Sequence, residues 1–165
     1  MNNTHENTVA TAEVISSPSL LEHWQGHRAL TRRVIEAFPE EEFTSYSIGG
    51  MRTFAELCQE LLAIAEPGIK EIATNTTQEL DEKKQEKLSK EQVLQLWDKA
   101  TEEINSYWSM IPTSKFQEKI MCFGMYEGTV CSSIFYFIDN EIHHRGQAYV
   151  YLRALGIEPP AFWER

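Results

Sequence analysis

Four stretches of the chain repeat apolar residues at the three-and-four spacing of an amphipathic helix. The first carries Leu20, Trp24, Val34, Ile35 and Phe38 on one side. It opens at Ser17-Pro18-Ser19, with Pro at the first helical position and Ser19 and Glu22 in capping-box spacing, and Pro39 closes it. After a turn-rich stretch from Glu40 to Gly50, Thr53 and Glu56 form a second capping-box pair. They lead a helix with Phe54, Leu57, Leu61, Ile64 and Ala65 inward. Pro67 falls inside that pattern and predicts a kink or an early end. Ser89 and Gln92 open a third helix with Val93, Leu96, Ala100, Ile104, Tyr107 and Met110 on one face, ending before Pro112. The last runs from about residue 129 to Leu155, with Gly156 as its stop.

Between these helices the pattern breaks down in distinct ways. Residues 1–16 are polar and unpatterned, the expectation for a mobile tail ahead of a single domain over 17–165. Residues 74–88 are charge-dense and read as a long exposed connection. Residues 113–128 hold glycines and aromatics and read as a loop with a short extended piece. The tail from Ile157 to Trp163 is too proline-rich for helix, and its aromatics are expected to fold back on the helices. Four amphipathic helices, few strand signals and one long connection predict an all-α four-helix bundle. Trp24, Leu57, Leu61, Leu96, Ile134 and Leu152 are its expected core.

Composition narrows what such a bundle does. A chain of 165 residues with 42% apolar residues is long enough for one full core. A net charge of −10, with no basic run, argues against direct nucleic-acid binding, which needs Lys and Arg to neutralise phosphates. There is no apolar run of transmembrane length and no signal-peptide core, so no membrane partner is expected. Cys58, Cys122 and Cys131 have no CxxC spacing. A zinc–thiolate site or disulfide framework is not indicated, and a reducing cytoplasm fits.

Chemistry concentrates in Asn140-Glu141-Ile142-His143-His144-Arg145-Gly146-Gln147, inside the last helix. Neighbouring helical residues point about 100° apart, so His143 and His144 cannot both face one site. Residues three or four apart share a face, so Asn140, Glu141 and His144 can converge. Phe137, Ala148 and Leu155 lie within about 40° of His144, which places His144 and Glu141 on the core stripe. Such groups need a partner or a metal. A satisfied buried Glu–His pair and a metal site are the two readings. Glu60 borders the stripe of the second helix and on its own reads as an edge glutamate. On the first helix His27 faces the core, with His23 one turn before it. The pair has chelating spacing, but a hydrogen-bonded core histidine beside a boundary residue is the simpler reading. Gln147 and Tyr151 flank His144 as supporting donors or polar edge positions.

The run His143-His144-Arg145-Gly146-Gln147, followed by Leu152-Arg153-Ala154-Leu155-Gly156, resembles the last helix of the DinB/YfiT-like superfamily. Gly50 to Leu57 resembles its second-helix entry. These are four-helix bacterial proteins, many assigned as metal-dependent enzymes. The family name refers to induction by DNA damage. The resemblance covers most of 18–156. It implies an up-down-down-up bundle, a long crossover at 74–88 and a homodimer. It also implies a metal held by three histidines, one from the second helix and two from an HxxxH on the fourth. Carried over, those positions are Glu60, Asn140 and His144. An oxygen-richer set of this kind leans toward Zn, Ni, Fe or Mn. Glu141 and His144 form an alternative E-x-x-H face, and His143 is placed as a supporting residue hydrogen-bonded to a carboxylate or carbonyl.

Three functions follow from that resemblance and the residues. One is a mononuclear metal-dependent enzyme of hydrolase or thiol-dependent transferase type, acting on a small molecule. The second is a non-catalytic module that binds a small ligand in an apolar pocket at a degenerate site. The third is a stress-response dimer without chemistry.

Overall fold

The computed structural model describes residues 13–81 and 87–165. Most of the expected tail (1–12) and the middle of the charge-dense connection (82–86) lie outside the described residues. Four long helices carry the fold: α1 (Ser17–Ala37), α3 (Phe54–Thr74), α4 (Lys90–Trp108) and α5 (Val130–Ala154). Each packs on two of the others: α1 on α4 and α5, and α3 on α4 and α5. A short α2 (Glu40–Ser45) follows α1, and a 3-10 turn (Thr113–Gln117) precedes a hairpin of β1 (Lys119–Cys122) and β2 (Tyr126–Thr129). In that antiparallel hairpin Cys122 faces Tyr126 and Lys119 faces Thr129.

Local chemistry explains the ends. Thr53/Glu56 and Ser89/Gln92 close as full capping boxes, and Thr129/Ser132 makes a third that opens α5. Gly156 terminates α5 in the left-handed region at φ 77°, and the Ile157 N–H returns to the Leu152 carbonyl at 2.8 Å. The start of α1 differs from expectation. Ser16 is the cap and accepts from the Ser19 N–H at 3.2 Å, so the Ser19–Glu22 box lies inside the helix. Glu40 to Ser45 is helical rather than a plain turn, and this short helix buries Phe43 completely. Pro67 does not end α3, which continues to Thr74. Its missing N–H removes one ladder bond without ending the helix.

The α4 face is corrected at two positions. Leu96 is 42% exposed and Met110 55%, while Trp97 and Trp108 are buried with Val93, Ala100 and Ile104. Both faces satisfy helical spacing, and burying two indoles removes more apolar surface than burying Leu96 and Met110. The C-terminal aromatics are likewise corrected: Phe162 is 65% and Trp163 68% exposed, and their rings contact each other.

The core spans two clusters, one around Trp24, Ile69, Trp108 and Phe137, the other around Phe38, Phe54, Trp97 and Leu152. In the first, the ring of Phe137 lies on the bare backbone of Gly68, where an added Cβ would sit 2.4 Å from Phe137 Cζ. Gly68→Ala gains up to about 1 kcal/mol of helix propensity but must displace a buried ring. A net loss of about 1–3 kcal/mol is expected from overpacking. Chemical denaturation showing the variant equal to or more stable than wild type would refute the close packing of α3 on α5.

Candidate functional site

Between α3 and α5 the structure brings Glu60, Asn140 and His144 together. His144 Nε2 lies 2.9 Å from Glu60 Oε1, and Asn140 Nδ2 donates to the same oxygen at 3.4 Å. Helical geometry produces this wall, because Asn140 and His144 are one turn apart on α5, about 40° around the axis. The other carboxylate oxygen of Glu60 pairs with Arg52 Nη1 at 2.5 Å. Burial alone would raise the Glu60 carboxyl, but hydrogen bonds from His144 and Arg52 outweigh it and hold the group below its usual range. Gln147 Oε1 approaches His144 Nδ1 at 2.8 Å, so both ring nitrogens face oxygen atoms. The Tyr151 hydroxyl donates to the Arg52 carbonyl at 2.8 Å and fixes the segment that carries the guanidinium.

Glu141 does not join this group. Three residues from His144 it points about 60° to the side, toward α1, so the two do not form the pair that sequence spacing allowed. Its carboxyl is 1% exposed and accepts from the Thr31 hydroxyl at 2.6 Å. Arg28 lies 3.7 Å and Arg145 3.8 Å away. Arg28 is clamped from the other side, donating Nε to Thr101 at 2.7 Å and stacking 4.1 Å over the Trp97 ring. Arg145 also donates to Thr31 Oγ1 and to His27 Nδ1. Burial pushes the Glu141 carboxyl up, and the two cations and Thr31 offset only part of that.

His27 is a 5% exposed core histidine, 3.2 Å from His23 Nε2. Burial, then the nearby Arg145, His23 and Arg165, lower it to about 4. The unfolded chain takes up a proton near pH 6.5 that the folded chain refuses until about 4. Stability from this group is therefore present above 6.5 and falls as the pH drops through that window. We expect Tm to decline between pH 6.5 and 5, before ordinary carboxylates titrate, and His27→Gln to flatten that part of the profile. A wild-type Tm constant across the window would contradict it.

His143 is exposed, and among the described residues its side chain makes no hydrogen bond; the expected carboxylate or carbonyl partner is absent there. Its ring stands 5.0 Å from that of His144. Sequence reasoning missed Arg52, Arg28, Thr31 and Arg145 as partners. Arg145 was signalled by standing four residues after Glu141 on a core face, and Arg28 by standing four after Trp24. Arg52 carried no such signal, since it reaches Glu60 from outside the helix.

A cavity of about 250 Å³ begins one turn from Glu60 and Asn140, walled by Ile64 of α3, Tyr136 and Phe137 of α5, and Phe123, Tyr126 and Glu127 of the hairpin. Among the described residues no three His, Cys, Asp or Glu side chains come together as a metal-holding group. No helix there is long and apolar enough to cross a membrane.

The arrangement is a helical bundle with a polar cluster between two facing helices, and comparison with known proteins agrees on its class. The sequence profile of the DinB family matches residues 1–165, and the chain belongs to that family. It is similar in structure to a DinB-like protein from Bacillus cereus ATCC 10987, with TM-score 0.72 and 16% identity over 87% of this chain and 95% of that one. A DinB-like protein from Bacillus subtilis gives TM-score 0.69 and 18% identity over 88% and 99%. No curated protein sequence matches the chain.

The three-histidine metal centre implied by the resemblance does not fit these residues. The three positions supply one imidazole, one carboxylate and one amide, and the amide N–H₂ is turned toward the carboxylate. A guanidinium holds the second oxygen of Glu60, so the strongest oxygen donor is already neutralised.

Proposed function

We propose that this DinB-family protein is a small-ligand-binding bundle in which the Arg52–Glu60 ion pair, hydrogen-bonded to His144, stands where a metal centre would otherwise lie. The observation that carries the reading is the commitment of both Glu60 oxygens, one to Arg52 and one to His144 and Asn140. A buried-edge carboxylate paired this way is satisfied without a metal ion. The adjoining cavity supplies the apolar volume a ligand needs, a little below the usual range for such pockets. The charged group in the cavity's described lining is Glu127, the polar cluster stands outside that lining, and no metal-bound water enters the scheme.

The test is elemental analysis of protein expressed in metal-replete medium, beside His144→Ala. Far less than one equivalent of Zn, Ni, Fe or Mn is expected in both. A stoichiometric ion in wild type that His144→Ala loses would overturn this reading in favour of a metal-dependent hydrolase or transferase.

A homodimer is part of the same proposal. Phe135, Ile142 and Val150 are exposed on the outer side of α5 at 40%, 38% and 55%. Nothing lies within 4 Å of a Cβ placed on Gly146 among them, which leaves room for a second helix to approach. Light scattering should report a dimer for wild type and a monomer for Ile142→Glu; a monomeric wild type at micromolar concentration would refute this face as an interface.

A further inference from the structure

The cavity beside the Glu60 cluster has a chemistry that selects among small ligands, and the inference below rests on the small-ligand reading above. Four aromatic rings, Phe123, Tyr126, Tyr136 and Phe137, line it. The one charged side chain in its described lining is the carboxylate of Glu127. Ser132 and Ser133 also reach the wall; their hydroxyl protons go to the Thr129 carbonyl at the start of α5, so they offer a ligand no donor.

The wall is held in place from behind. Phe123 has φ 54°, a left-handed conformation that is strained for an aromatic residue. Its N–H donates to Glu71 Oε1 at 2.9 Å, and the other oxygen of Glu71 accepts from Gln78 N–H at 2.8 Å. One buried carboxylate thus fixes both the hairpin turn and the start of the crossover. Leu80, two residues beyond Gln78, also lines the cavity. Glu71 also makes the neighbourhood electronegative. Burial, and then Glu71, push the Cys122 thiol on the cavity wall up to about 12. Cys122 is therefore a protonated lining atom and not a thiolate nucleophile.

We infer that this cavity binds an alkylammonium cation, with the quaternary or protonated nitrogen against the aromatic faces and Glu127 at the rim. Aromatic faces attract a cation through their negative quadrupole, and a cationic ligand within about 6 Å of several rings gains from each of them. An anion would meet Glu127 and the field of Glu71, and the chain's net charge of −10 repels it at long range. A neutral ligand of the same shape gains the apolar contacts but not the electrostatic ones.

Three probes that share a trimethyl head and differ in charge decide the matter: choline, 3,3-dimethylbutan-1-ol and 3,3-dimethylbutanoate. Binding is read from amide shifts of Phe123, Glu127 and Gly128 in two-dimensional NMR, which locates the ligand as well as measuring Kd. Choline is expected to bind at least about fivefold more tightly than the alcohol, and the anion more weakly than either. Glu127→Gln, an exposed strand substitution, should weaken choline severalfold and leave the alcohol unchanged. Tyr126→Ala should weaken choline more than the alcohol. Equal binding of alcohol and choline, or preference for the anion, overturns the cation assignment and leaves the small-ligand reading standing. No shift at these amides from any probe at tens of millimolar overturns both.

Discussion

Glu141→Ala is expected to destabilise the protein by about 3–5 kcal/mol, the range for removing one partner of a buried ion pair. Arg28 is 1% and Arg145 6% exposed, and Glu141 is the carboxylate between them. Without it two guanidinium groups remain buried without their nearest counter-charge, and Arg28 keeps only the weaker attraction of Asp98, which is already paired with Arg32. A domain of this size is stable by roughly 5–15 kcal/mol in total, so the loss takes a large share. At roughly 2–4 °C per kcal/mol, Tm should fall by about 6–20 °C.

The effect belongs to the unpaired charges and not to the lost contacts, and a double substitution separates the two. Arg28→Met/Glu141→Leu keeps volume and removes a pair of opposite charges, so it should be less destabilising than Glu141→Ala alone. Thermal and urea denaturation of the single and double variants measures both. A Glu141→Ala protein within about 1 kcal/mol of wild type, the range of an ordinary surface pair, would show that this cluster is solvated and that its burial is not energetic.

Glu60→His/Asn140→His is expected to convert a chain with little bound transition metal into one that holds about one ion. The two substitutions join His144 to make three imidazoles facing across α3 and α5, a set that suits Zn or Ni with open positions for water. They also remove the carboxylate that Arg52 neutralises; Arg52 is 47% exposed at its side chain and is free to turn to solvent. Elemental analysis of wild type and variant in parallel gives the result directly. Thermal shift gives an independent one, because an ion at about 100-fold its Kd adds roughly 2.7 kcal/mol to the folded state. A variant that folds, retains its helicity and still takes no metal would mean that residues 60, 140 and 144 do not converge as the structure has them.

These outcomes depend on contacts of unequal visibility in the sequence. The helix ends at Thr53, Ser89 and Gly156 were readable because capping is local. A side-chain oxygen three residues from a backbone N–H, or a glycine able to adopt positive φ, acts within one turn. The direction of His144 was equally readable, since 3.6 residues per turn fixes which neighbours share its face. Resemblance to the DinB family added position 60 as the residue across from it, which periodicity alone left as an edge glutamate.

Other features were decided only when the helices met. Leu96 and Trp97 are both compatible with an inward stripe on α4, and the choice fell to Trp97 because Arg28 stacks on its ring and accepts its indole N–H at the Arg28 carbonyl. Glu141 has a histidine at the spacing of a local pair, yet it turns to α1, where two arginines supply counter-charge and Thr31 donates a hydrogen bond. Arg52 reaches Glu60 from the residue before the α3 cap, a position that carries no periodic signal. What the sequence by itself determined was therefore the four long helices, those of their ends set by local caps, and the faces on which charged groups would need partners. Tertiary structure decided the identity of those partners, because burial makes an unpaired charge too costly to leave and the nearest compensating group in space is seldom the nearest along the chain.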